Sequence, residues 1–334
     1  MILLLVFNLA SQKALFAQET FYKGKTVRII VGFSAGGGFD TYARVIARHM
    51  GKHIPGGPAI LVENMPGAGS LITANHGYNT AKPDGLTINN WIGGLVLQAL
   101  LGGKGIQFHA PKFEWVGALQ DSQSCGLTKA SGVSNVQEWL AAKNPVKLGG
   151  TASGSTDVDI PKILKATLGL PIQLVEGYKG TADIRIAADS GEVSGYCGTW
   201  AGMKSTWSQA LESGNAHVVV QINSKKHQDL INVPNAVDLA KTDEARELIK
   251  MGIHYQADIS RNYSLPPATP KERVAILQKA FLQTVKDKDF LADVQKAKLS
   301  VEAISGDDVA RIVSDYSAMK PELVNKLKEI MLPN

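Results

Sequence analysis

At 334 residues, with 44% hydrophobic and 19% charged residues, the chain is long enough for two domains with cores of their own. A mean hydropathy of −0.03 excludes a polytopic membrane protein. Lys and Arg number 35 against 30 Asp and Glu, a net charge of +5 that suits an anion binder; no run of basic residues interleaved with aromatics points to nucleic acid. The seven histidines are scattered, no Cys-x-x-Cys occurs, and neither a metal nor a cofactor is expected.

Residues 1–17, MILLLVFNLASQKALFA, differ from the rest. The run is apolar to Ala10 apart from Asn8, and Ala17 offers a small residue at a cleavage point. It reads as a secretory signal, too short and too interrupted by Lys13 to span a bilayer. It lacks a basic start, so a buried N-terminal helix is the other reading. Its removal would leave 34 − 30 = +4, and export to the periplasm is expected.

From Thr26 the chain alternates. Val27, Ile29, Ile30 and Val31 make a strand that feeds a loop at Gly36, Gly37 and Gly38. Asp40 then stands as an N-cap for a helix with Ala43, Ile46, Ala47 and Met50 at helical spacing. A second strand, Ile60-Leu61-Val62, feeds Pro66-Gly67-Ala68-Gly69-Ser70 and a second helix, carried by Leu71, Ile72, Ala74, Asn75 and Tyr78. Pro83-Asp84-Gly85 is a turn, and Leu86 to Asn89 a third strand that ends near Trp91. Such loops lie beyond the carboxyl ends of parallel strands, where open α/β sheets bind ligands. Glycines there let backbone N–H groups approach a ligand, and helix N-termini favour negative charge. A small anion is the expected guest.

The middle of the chain repeats the pattern. Ser134 to Gln137 is read as a capping box, Val146 to Gly150 as a strand, and Thr151 to Thr156 as a hydroxylic loop before a helix. Ile172 to Val175 is a strand leading to Tyr178-Lys179-Gly180; Thr181 caps a helix, and Val193 to Cys197 is a further strand. After Val218-Val219-Val220 the pattern turns helical. Thr269-Pro270-Lys271-Glu272 and Ser305 to Asp308 are read as helix starts. The expected organisation is α/β, with domain 1 from 18–122 and 224–334 and domain 2 from 123–223. Chain crossings between them suggest a hinge and an interdomain cleft, where ligands prefer to bind.

Two cysteines, Cys125 and Cys197, either pair in an oxidising compartment or stand as buried free thiols on adjacent strands. The free state is expected, because a chain of this size needs no staple. Gly32-Phe33-Ser34-Ala35-Gly36 matches the nucleophile elbow of serine hydrolases, but it follows the first strand and its helix starts too late. A dinucleotide fingerprint fails at its third glycine, where Thr41 stands. The chain is read as a non-enzyme, with the hydrolase as the alternative. Trp91 and Trp200 each follow a strand and are read as either pocket wall or core. Phe33 and Phe39 flank the glycine loop, one as core and one as wall.

Together, VRIIVGFSAGGGFDTYAR, ILVENMPGAGSLITAN, KPDGLTI, VEGYKGTADIRIAADSGEV, INSKKHQDLINVPNAVDLA and LPPATPKERVAILQKAF resemble the Bug (TctC-like) family, periplasmic substrate-binding proteins of tripartite tricarboxylate transporters. They occur in the family's order. The resemblance implies a two-lobed periplasmic-binding-protein fold, type II-like, that captures a small carboxylate and presents it, as a monomer, to membrane permease subunits. By position it implies ligand contacts at Phe33, Ser34, Gly37, Gly38, Phe39 and Asp40, then Gly67, Ala68, Gly69 and Ser70, with Trp91 near. The second lobe would supply Ser153, Gly154, Ser155, Thr156, Tyr178, Lys179 and Thr199. Two departures stand out. Phe39 occupies a position where the family commonly has a small hydroxylic residue. Cys197-Gly198-Thr199 stands where members often read Phe-Asp-Asn, and losing that acid weakens the case for an amino-acid ligand. With Trp91, Trp200 and Phe39 near, a carboxylate with a hydrophobic or aromatic body is the expected solute.

Overall fold

The computed structural model describes residues 21–33, 35–151, 155–178, 180–297 and 299–332; the expected leader at 1–17 lies outside them. The chain divides into two compact units. The first takes the described residues of Met1–Ile92, Gly105–Leu119 and Arg261–Arg311, and the second those of Gly93–Lys104, Gln120–Ser260 and Ile312–Asn334.

The first unit is built on a six-stranded sheet in the order β11-β4-β10-β3-β1-β2. Its strands are β1 (Thr26–Val31), β2 (Ala59–Asn64), β3 (Thr87–Ile92), β4 (Glu114–Leu119), β10 (Arg261–Leu265) and β11 (Ala303–Ser305). β1 runs parallel to both β2 and β3, whereas β10 is antiparallel to β3 and β4. One face carries Val27, Ile29, Val31 and Ile88, on which the helix Gly38–Met50 lays Tyr42, Ala43, Val45, Ile46 and Met50. The helix Lys271–Thr284 adds Val274, Leu277, Ala280 and Phe281 to the same core. Elsewhere in the unit Trp91 packs on Phe108, Phe113 and Trp115, with ring centroids 5.4–5.7 Å apart.

The second unit has a five-stranded sheet in the order β7-β6-β8-β5-β9. These strands are β5 (Gln123–Thr128), β6 (Val146–Gly150), β7 (Ile172–Glu176), β8 (Gly195–Thr199) and β9 (Ala216–Gln221). β6 is parallel to β7 and β8, and β5 is antiparallel to β8 and β9. Both sheets therefore follow one plan: three parallel strands in the order second, first, third, then a reversed strand, then two more strands in the first sheet and one in the second. Ile184, Tyr196, Met203 and Trp207 form a core cluster of this unit.

The structure redraws several local expectations. Cys125 and Cys197 form a disulfide, not free thiols. They stand directly opposite each other in the antiparallel β5–β8 register, Cα atoms 4.0 Å apart and fully buried, so strand register decides their state. The terminal block divides otherwise than the alternation suggests, since the described residues of 224–260 and 312–332 group with the second unit. Buried amides are one cause: the Gln221 carboxamide donates to the Leu230 and Val233 carbonyls, and the Asn235 carboxamide to that of Asn223. Another is Gly252, packed against Ile163 and Leu327. Asn135, not Ser134, caps the helix Val136–Ala141 by accepting from Glu138 N–H. Thr269 bonds back to the Pro266 carbonyl and leaves the helix Lys271–Thr284 without a side-chain cap. At Ser305 the expected helix start is found: the helix Gly306–Ser317 begins there, with the Ser305 hydroxyl donating to Asp308 Oδ2 and accepting from the Asp308 N–H.

His254 closes a π-helical turn, Lys250–His254, and is buried with Nε2 unpartnered. Burial lowers its pKa from 6.5 to about 4, with Lys250 adding to the shift and Asp238 opposing it. The unfolded chain takes up this proton below pH 6.5, the native chain only near 4. Stability is therefore expected to be level above pH 6.5 and to fall between 6.5 and 4. Urea titrations across that range should show a shallower fall for His254→Gln. Replacing both cysteines by serine should cost about 2–4 kcal/mol of unfolding free energy, read from the same titrations without reductant.

Candidate functional site

In the first unit, the loops after β1, β2 and β3 are tied together at the carboxyl ends of these parallel strands. The Met65 N–H donates to the Val31 carbonyl, and the Gly32 N–H to that of Asn90. The Ile92 N–H donates to Ser70 Oγ at 3.0 Å. Gly32 is glycine because any Cβ there would overlap the Cβ of Ser70.

The glycine loop is held by a carboxylate. Asp40 is 2% exposed; its Oδ2 accepts from the Gly36 N–H and from Arg44 Nε, both at 2.8 Å, and its Oδ1 accepts from Asn64 Nδ2 at 2.9 Å. The same Asn64 nitrogen reaches the Phe33 carbonyl at 2.9 Å. The Arg44 hydrogen bond, joined by those from Gly36 and Asn64, lowers the Asp40 pKa to about 2 against the cost of burial. The helix starts earlier than expected, at Gly38, with Gly37 as its cap, so Asp40 sits in the first turn as the loop's anchor and not as its N-cap. Gly37 and Gly38 are exposed. Neither this helix nor Leu71–Asn79 has a side-chain cap, which leaves their first amides to water or to a ligand.

The second loop turns the other way. Gly67, Ala68, Gly69 and Ser70 all have positive φ, at 144°, 47°, 59° and 71°. Two of them carry a side chain, a conformation that costs free energy and persists only where surrounding bonds fix it. Ser70 is fixed by its bond to Ile92 and by burial; Ala68 and Gly69 are exposed.

Trp91 is not a wall of this cluster. It is fully buried, and its Nε1 donates to Ser264 Oγ at 2.8 Å, which makes it core. Phe33 and Phe39 are both half-buried and stack on each other with centroids 4.2 Å apart, so neither is purely core nor purely wall. Sequence reasoning passed over Asn64 and Arg261. The Arg261 guanidinium lies over the rings of Phe39 and Tyr42, at 5.1 and 4.4 Å. A strand-end Asn next to a glycine loop was a usable signal; a lone arginine before Asn-Tyr-Ser was none.

In the second unit the loops after β6 and β7 meet. The Gly177 N–H donates to the carbonyls of Gly150 and Thr151, and the Tyr178 N–H to that of Gly150. Asp157 Oδ1 collects the Thr151 N–H at 3.1 Å, the Thr151 hydroxyl at 2.8 Å and the Ser155 hydroxyl. Ser155 and Thr156 open the helix Thr156–Leu168. The Tyr178 hydroxyl donates to Glu192 Oε1 at 2.8 Å; desolvation first, then that bond, pushes its pKa up to about 12. Thr199 Oγ1 caps the helix Trp200–Glu212 by accepting from the Gly202 N–H. Trp200 Nε1 donates to Asp229 Oδ2, which also accepts from Lys204. Ser34, Ser153, Gly154 and Lys179 lie outside the described residues.

His49 and His53 stand at metal-ligand spacing but turn to different partners, Asp293 at 3.0 Å and Asp287 at 3.3 Å. Among the described residues no group of three His, Cys, Asp or Glu could hold a metal ion, and no helix is long and apolar enough to cross a membrane.

The family model described as tripartite tricarboxylate transporter family receptor, TctC, matches residues 42–328. The chain belongs to this family. The fold agrees with solved TctC structures. A TctC solute-binding protein from Polaromonas is 20% identical, with a TM-score of 0.71 over 91% of this chain and 99% of that one. MatC from Rhodopseudomonas palustris, with bound malate, is 20% identical, with a TM-score of 0.64 over 92% and 99%. A further R. palustris protein, with adipate, is 21% identical, with a TM-score of 0.66 over 92% and 98%. Among curated proteins, a UPF0065 protein of Cupriavidus necator is 38% identical over 72 residues, 22% of this chain and 21% of that protein. One of Bordetella bronchiseptica is 33% identical over the same length, so the match spans about a fifth of these relatives. TctC proteins are solute-binding proteins, and nothing in these likenesses supports a serine hydrolase.

The ties around Gly32 and Asp40 make two substitutions decisive. Gly32→Ala should lower Tm and loosen the loops at 33–40 and 65–70, because the new methyl displaces Ser70 from Ile92. Amide hydrogen exchange would then quicken in both loops. Asp40→Ala strips the Gly36 N–H and Arg44 of their acceptor and should cost about 1–3 kcal/mol, read by urea titration.

Proposed function

We propose that this chain is a periplasmic solute receptor that captures a small organic carboxylate and delivers it to the permease of a tripartite tricarboxylate transporter. The observation that carries this reading is the loop cluster of the first unit. Three strand-end loops converge there, two helices start uncapped, and the exposed Gly37, Gly38, Ala68 and Gly69 bring bare backbone to one edge of the sheet. Amides of this kind, at positive helix ends, suit a carboxylate and perform no chemistry on it. The proposed contacts in the first unit are these main-chain groups with the wall at Phe39; those in the second unit are Ser155, Thr156, Tyr178 and Thr199. Malate and adipate, bound by the two Rhodopseudomonas proteins of this fold, support a dicarboxylate of similar size.

The aromatic-bodied solute expected from the sequence loses ground. Trp91 is core, so the apolar surface beside the glycine loop of the first unit comes from the half-buried Phe33 and Phe39.

A melting-temperature screen over benzoate, malate, adipate, citrate, aspartate and glutamate tests the reading. A ligand at 100 times its Kd adds about 2.7 kcal/mol, a rise of several degrees for a protein of this size. At least one non-amino acid should give that rise and exceed both amino acids. If every acid leaves Tm unmoved at millimolar concentration, the chain is not a carboxylate receptor.

A further inference from the structure

Four side chains stack in one row in the first unit. Phe33 lies on Phe39 at 4.2 Å, tilted by 32°; Phe39 faces the Arg261 guanidinium, whose Cζ lies 5.1 Å from the ring centroid; and the same guanidinium lies 4.4 Å from the Tyr42 centroid. Both cation distances are within the range where the ring quadrupole attracts a cation. Arg261 is 8% exposed and is the first residue of β10, the reversed strand of the sheet. Its Nη2 is close enough to the loop that a Cβ added at Gly38 would stand 3.8 Å away.

The other ties of the glycine loop act elsewhere. Asp40 holds the Gly36 N–H, Asn64 holds the Phe33 carbonyl, and Thr41 holds the Gly37 carbonyl through both its N–H and its hydroxyl. Arg261 flanks Gly38 from the strand side, and the Phe39 ring is one of the groups through which it meets the loop. A planar guanidinium can lie flat on two rings at once, whereas a lysine ammonium is a point charge on a flexible stem.

We propose that Arg261 is a positioning residue for the carboxylate site, acting through Phe39, and that the Phe39–Arg261 stack sets how firmly the Gly37 and Gly38 amides are presented. The inference rests on the receptor reading. It assigns Phe39 a role in loop rigidity in addition to that of a wall.

A double-mutant cycle tests it, with calorimetric titration of whichever of benzoate, malate, adipate and citrate binds the wild type most tightly. Arg261→Lys keeps the charge and loses the flat stack; Phe39→Ser removes the ring. Each should weaken binding roughly tenfold, and the double variant no more than the weaker single one, because both break one interaction. Losses that multiply, or wild-type affinity in Arg261→Lys, overturn the proposal while leaving the receptor reading intact. A wild type that binds none of the four acids removes both. Should Arg261→Lys fail to fold, Phe39→Leu decides. It keeps apolar bulk without an aromatic face, so it should show the same tenfold loss at a nearly unchanged ligand-free Tm, and unchanged affinity rejects the stack.

Discussion

The carboxylate of Asp40 is the point on which the first unit's ligand edge depends. It is nearly buried, yet each of its oxygens is met by a donor: the Gly36 amide and the Arg44 guanidinium on one, the Asn64 carboxamide on the other. A buried ionised group without such partners would be costly, and with them it becomes a rigid node. Because Asn64 also holds the Phe33 carbonyl, one node fixes both ends of the glycine loop and ties it to the end of β2. The loop can then expose Gly37 and Gly38 without collapsing onto the sheet.

The sheets show why these loops occur where they do. In each unit three parallel strands, ordered second, first, third, release their loops at one edge, and a reversed strand closes the set. In the first unit that strand is β10, Arg261-Asn-Tyr-Ser-Leu, buried along its whole length and rich in polar side chains. Ser264 accepts the Trp91 ring N–H, and the Asn262 carbonyl accepts from the Asn90 carboxamide. The Asn262 carboxamide and the Tyr263 hydroxyl are buried without a hydrogen-bond partner among the described residues, so the neighbours match the polarity of this strand only in part.

That composition explains what could and could not be read in advance. The parallel strands β1, β2 and β7 each carry several Val, Ile or Leu residues, β6 sets Val146 and Leu148 around Lys147, and a glycine ends or soon follows each, so their loops were visible at once. β10 carries no apolar run, so a segment that completes the first sheet read as part of a helical stretch. The disulfide was hidden for a different reason: pairing depends on β5–β8 register, which links positions 72 residues apart and leaves no local trace. Trp91 stayed open between wall and core because a strand's last side chains alternate between faces, and only the partner strand shows which face is covered. Asp40 was seen as important, but the sequence suggested a cap where the structure builds an anchor.

A site made of backbone, as proposed above, has a particular consequence. Every residue but proline has an N–H, so the identity of Gly37 or Gly69 would say little about a guest beyond its charge; information about size and shape would come from whatever fixes the loop's path. Here those determinants are a carboxylate that gathers donors, an asparagine that joins two strand ends, and a serine held at φ 71° by a bond to Ile92. Each works by holding main chain in place. A substitution at such a position therefore alters many amides at once, while a chain only about a fifth identical to its solved relatives keeps their fold. The pairing of Phe39 with Arg261 belongs to the same logic, since a bulky ring in a glycine loop is tolerable only if something flat and firmly placed receives it.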